Sequence, residues 1–91
     1  MYRISSGVRS THGQDGAVVL DVEQGRMFNL NLVGSKILEL LEQGSTESDI
    51  ITAISREFHA STAEIANDVR DFIDSLKKNG LIDDDVEKQA S

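Results

Sequence analysis

Two histidines, three consecutive aspartates and the absence of cysteine limit the chemistry open to this 91-residue chain. His12 and His59 lie in different segments, without any nearby pattern of ligands. Both read as surface histidines rather than metal ligands or general bases. Asp83-Asp84-Asp85 offers carboxylates to a cation. It lacks the glycine and distal glutamate of a calcium loop, so a solvated tail is the simpler reading. Without Cys there is neither a thiolate ligand nor a disulfide staple. No glycine-rich phosphate loop and no nucleophile-elbow pattern occurs. The residues therefore imply no metal and no cofactor, and nothing among them argues for catalysis.

Charge narrows the partners. Nine Lys and Arg face 16 Asp and Glu, a net charge of −7. Residues 1–30 are balanced, with Arg3, Arg9 and Arg26 against Asp15, Asp21 and Glu23, so the deficit lies in the remainder. No cluster of Lys or Arg supplies the footprint that nucleic acid needs. A basic or neutral partner is accommodated more easily than a polyanion. No apolar run approaches the roughly 20 residues that span a membrane, and the first residues lack the apolar core of a signal peptide. A reducing cytosol is the expected compartment.

The elements that must position any site follow from pattern. Residues 1–82 read as one small domain and residues 83–91 as a disordered acidic tail. Val8-Arg9-Ser10-Thr11 alternates loosely, and His12 to Gly16 is a turn-rich loop. Residues 17–22 are β-branched and apolar, Glu23-Gln24-Gly25 closes a hairpin, and residues 26–31 alternate. Phe28 and Leu30 then share one face while Met27 and Asn29 share the other. A three-stranded antiparallel meander is the simplest assembly of these segments.

Three helices follow. Asn31 caps the first, which runs to about Gln43 with Gly44 as its stop and Val33, Ile37, Leu38, Leu40 and Leu41 as its apolar stripe. Thr46 to Asp49 opens the second, with Ile50, Ile51, Ile54 and Phe58 inward. Ser61-Thr62-Ala63-Glu64 is a fuller capping box and opens the third. Its stripe is Ile65, Val69, Phe72, Ile73 and Leu76. Lys77 and Lys78 complement its C-terminal end, and Asn79-Gly80 ends it. The fold class is α+β, a three-stranded antiparallel sheet followed by a three-helix, winged helix-turn-helix-like unit.

Two functional readings of these elements fail on position and charge. Asp74-Ser75-Leu76 is the tripeptide on which carrier proteins bear a phosphopantetheine arm, and the chain is acidic and of carrier size. A carrier serine opens a helix near mid-chain, whereas Ser75 lies near the end of the third helix and Leu76 belongs to its apolar stripe. A winged-helix DNA reader would carry basic residues on its recognition helix. Here Arg70, Lys77 and Lys78 are offset by Glu64, Asp68, Asp71 and Asp74.

A third reading carries further. Residues 16–21 (Gly-Ala-Val-Val-Leu-Asp), Gly25-Arg26, Leu30-Asn31, Gly34, Ile37-Leu38, Leu41, Gly44 and Thr46 resemble the PqqD-like family. So do Asp68-Val69, Phe72-Ile73, Leu76 and Gly80-Leu81-Ile82. The resemblance spans about residues 7–82. Met27-Phe28 departs from it, since relatives often carry aromatic residues at both places.

What the resemblance implies is a precursor-peptide recognition element of the kind used for ribosomally made, post-translationally modified peptides. Such domains bind the leader part of a precursor and present its core to modifying enzymes, some fused to an enzyme and others standing alone. The leader adds as a strand to the edge of the third strand and packs against the third helix. The expected contacts are Arg26, Met27, Phe28, Asn29, Leu30, Asp68, Val69, Phe72, Ile73 and Leu76. Each apolar member has a competing reading as plain core. Met27 is the better candidate for direct contact, because flexible thioethers suit variable peptide surfaces. Asp68 would receive a leader Lys, Arg or backbone N–H. The expected partners are the leader segment and a modifying enzyme. In lasso-peptide maturation that enzyme would be a cysteine-type leader peptidase; in pyrroloquinoline quinone biosynthesis, the alternative, a radical-SAM enzyme. Neither nucleic acid nor membrane is an expected partner.

Overall fold

The order of elements puts an open sheet edge beside two helices. The computed structural model describes residues 2–84. Strands β1 (Tyr2–Ile4), β2 (Val8–His12), β3 (Ala17–Asp21) and β4 (Arg26–Leu30) precede helices α1 (Leu32–Glu42), α2 (Glu47–Phe58) and α3 (Thr62–Lys78). A short strand, β5 (Ile82–Asp84), closes the chain. β2, β3 and β4 form the expected antiparallel sheet in that order, with Val19 paired to Ser10 on one side and to Phe28 on the other.

Two strands were not legible. β1 and β5 form a separate antiparallel pair, with Tyr2 opposite Asp84 and Ile4 opposite Ile82. This corrects the expected tail at its near end, because Asp83 and Asp84 belong to β5. Residues 85–91, the rest of that tail, lie outside the described residues. Leu81 and Ile82 are buried, so the chain folds back onto the core after α3.

The helix boundaries follow from their caps. Asn31 accepts a hydrogen bond from the Gly34 N–H, Thr46 from that of Asp49 and Ser61 from that of Glu64. Each cap satisfies one of the N–H groups that a helix start leaves without an internal partner. The Ser61 hydroxyl also donates to the Glu64 carboxylate at 3.2 Å, a side-chain contact added to the cap. The apolar stripes converge on one core built from Val19, Ile37, Leu38, Leu41, Ile50, Ile54, Ile65, Val69, Ile73 and Leu76, with Leu81 and Ile82 beside them. Alternation in β4 turns Phe28 and Leu30 toward that core and leaves Met27 63% exposed.

Candidate functional site

Since β4 is the outer strand of its sheet, one side of its backbone has no strand partner among the described residues. Such a row of N–H and C=O groups is a template for another strand. Beside its end lies a hollow of about 380 Å³ lined by Asn29, Leu30, Asn31, Val33, Gly34, Ile37, Asp68 and Phe72. Three elements meet there: the end of β4, the first turns of α1 and the middle of α3.

Local sequence explains the meeting. Asn31 ends the strand and caps the helix in one residue, which sets the first turn of α1 directly beside Leu30. Gly34 sits inside that turn, where glycine costs roughly 1 kcal/mol relative to alanine. A Cβ at Gly34 would lie 3.2 Å from two ring carbons of Phe72, so its absence lets the ring seat closely against α1. Asp68 lies one turn before Phe72 on the same face of α3 and is exposed. The hollow thus combines an apolar side of Leu30, Val33, Ile37 and Phe72 with the amides of Asn29 and Asn31 and one carboxylate, Asp68.

The opposite end of β4 is tied down. The Arg26 guanidinium donates to the Asp21 carboxylate at 2.7 Å and to the Asn79 carbonyl at the end of α3 at 2.5 Å. Its charge lies 5.2 Å from the centre of the Phe28 ring. Arg26 is therefore a clasp between sheet and helix, and its backbone still belongs to the open edge.

That clasp has a pH signature. The hydrogen bond from Arg26 is the main cause holding the Asp21 carboxyl below its ordinary value of 3.8, helped by the Gln24 N–H and opposed by burial. A carboxyl with a lowered folded pKa stabilises the fold above its unfolded pKa, and that contribution vanishes as pH falls through the folded value. Urea unfolding should show a stability difference between wild type and Asp21→Asn at neutral pH. The difference should shrink as the pH is taken below 3.8. A difference constant with pH would mean that the ion pair contributes nothing.

The structure divides the expected contact residues into three groups. Asn29, Leu30, Asp68 and Phe72 come together at the hollow. Arg26, Met27 and Phe28 are brought along β4, with Phe28 half-buried against the core. Val69, Ile73 and Leu76 are at most 3% exposed and belong to the core beneath the groove. Asn31, Val33, Gly34 and Ile37 line the hollow and were not anticipated. Their signal was the glycine inside an otherwise good helix, which marks a close approach.

His12 also departs from expectation. It is half-buried, with Nδ1 2.9 Å from the Ser35 hydroxyl and Nε2 3.2 Å from the Glu42 carboxylate. The sequence puts His12 in the loop after Thr11, whereas β2 extends to His12 and turns it toward α1, with partners 23 and 30 residues away. His59 is exposed, as expected, at the left-handed C-cap of α2. Among the described residues no group of three His, Asp or Glu could hold a metal ion, and no helix is long and apolar enough to cross a membrane.

An open-edged sheet with a hollow between its last strand and a three-helix unit makes this a winged helix-turn-helix-like domain. Residues 16–82 match the family described as coenzyme PQQ synthesis protein D (PqqD), and the chain belongs to that family. Among solved structures it is similar to TbiB1 in complex with the TbiA(beta) leader peptide, at 36% identity and a TM-score of 0.83. That match covers 89% of this chain and 94% of TbiB1. A lasso peptide synthetase B1 complexed with its leader peptide shares the fold, with 23% identity and a TM-score of 0.83 over 91% of this chain and 98% of the other. No curated protein matches the chain.

Proposed function

We propose that this chain is a non-catalytic adaptor that captures the leader segment of a ribosomal precursor peptide as an added strand on β4. The observation that carries the reading is the open β4 edge running into the hollow between α1 and α3. Backbone hydrogen bonds along the edge give affinity with little dependence on sequence, while the hollow selects apolar side chains and Asp68 a nearby cation or N–H donor. The family membership and the leader-peptide complex of the 36%-identical TbiB1 support it. The pathway we favour is lasso-peptide maturation, with a cysteine-type leader peptidase receiving the presented peptide. The family description supports a second pathway, peptide chaperoning in pyrroloquinoline quinone biosynthesis with a radical-SAM partner.

Titration calorimetry with the leader peptide encoded beside the gene tests the adaptor role. Micromolar or tighter binding is expected, with amide shifts clustered on residues 26–31 and 65–76. Absence of binding to every neighbouring precursor would reject the reading. Met27 is exposed on the edge strand, so Met27→Asp should leave the fold intact and weaken the leader about tenfold, a loss of roughly 1.4 kcal/mol. Unchanged affinity in the folded variant would move the contact away from β4.

A further inference from the structure

A second hollow, of about 420 Å³, opens at the same end of the sheet under the β2–β3 loop. Its floor includes Thr11, Val18 and Asn29, one cross-strand row facing away from the core. It shares Asn29 and Leu30 with the first hollow, so the two adjoin at the end of β4.

The loop above it is firmly placed. The Gly13 N–H donates to the Gly16 carbonyl at 2.8 Å, which closes the loop. The Gly16 backbone lies so close to the Leu30 carbonyl that a Cβ would come within 2.0 Å of its oxygen. His12 anchors the preceding strand to Ser35 and Glu42 of α1. Between Arg9 and Arg26 the sequence has no Lys or Arg, and Asp15 is exposed without an ion-pair partner among the described residues. The hollow is an open depression with one exposed carboxylate, Asp15, at its lip.

Resting on the adaptor reading, we propose that this hollow is a second peptide subsite, filled by the stretch of the precursor that runs past Leu30, with Asp15 pairing a Lys or Arg side chain of that stretch. At the far end of β4, Arg26 ties the strand to Asn79, whereas the Leu30 end opens into both hollows. The subsite adds selection by charge to an edge that reads mostly backbone.

The test uses the intact isotope-labelled protein and the synthetic leader encoded beside the gene. Binding should move amide signals at residues 12–16 together with those at 26–31. Asp15→Lys should weaken the leader about two- to fivefold, as expected for an exposed ion pair. A leader carrying Glu in place of the pairing Lys or Arg should recover affinity against that variant. Shifts confined to residues 26–31, wild-type affinity in Asp15→Lys, failure of the charge swap, or a leader with no cation within reach would each overturn the subsite while leaving the edge assignment standing. Loss of all binding and all shifts would instead reject the adaptor reading, and the subsite with it.

Discussion

Ile73→Ala is expected to destabilise the protein by about 2–5 kcal/mol, the usual cost of hollowing a packed core. Ile73 is 1% exposed and lies in the cluster shared by all three helices. A domain of this size loses roughly 4–8 °C in Tm per kcal/mol, so thermal unfolding should move down by about 10 °C or more. The informative part is what should stay constant. If Ile73 supports the groove only from below, the folded fraction of the variant should bind leader with wild-type affinity. A loss of affinity exceeding the loss of folded protein would place Ile73 in the peptide's path. The same logic applies to Val69 and Leu76, whose burial matches that of Ile73.

Gly16→Ala should be the most disruptive change outside the core. Gly16 has φ +153°, a conformation that L-residues rarely adopt, and its missing Cβ faces the Leu30 carbonyl rather than a side chain that could swing away. Relief requires the β2–β3 loop to lift off the end of β4. The expected cost is at least about 1–3 kcal/mol, the usual range for one strained residue, with faster amide exchange at residues 29–31. Gly25→Ala is the control, because Gly25 has φ +67° but nothing within 4 Å of an added Cβ. It should cost less and leave exchange at the Leu30 end unchanged. Equal effects at the two glycines would mean that backbone conformation, not contact with Leu30, sets the penalty.

Caps and periods made most of this fold legible. Asn31, Thr46 and Ser61 each announce a helix by a side-chain oxygen three residues before an N–H donor, and each cap is formed. The central sheet shows in the alternation of β4 and the apolar run of β3. β1 and β5 were missed because three residues cannot display a period, and Asp83-Asp84 carries the charge of a solvated tail. Backbone pairing with β1 makes them a strand despite that charge.

The candidate site was only half legible for a related reason. An apolar stripe on α3 records that a face is covered, not whether core or ligand covers it. Val69, Ile73 and Leu76 point at the core, while Phe72, at the margin of the same stripe, reaches the hollow. The contribution of α1 depends on the tight turn at Asn31 and the close approach at Gly34, which emerge only when strand and helix are placed together. His12 shows the same limit, since its partners come from a helix that is remote in sequence.

The pairing of β1 with β5 has an architectural consequence. Tyr2 and Asp84 face each other across two short strands, so the chain comes into and departs from the domain at neighbouring points. A unit threaded this way can be spliced into a surface loop of another protein, or strung at either side of one, with little strain on its host. Joined to a processing enzyme through a short flexible connection, it would hold its cargo at millimolar effective concentration without any new contact between the two bodies. Evolution could therefore move this receptor between freestanding and built-in arrangements without redesigning either the groove or the host.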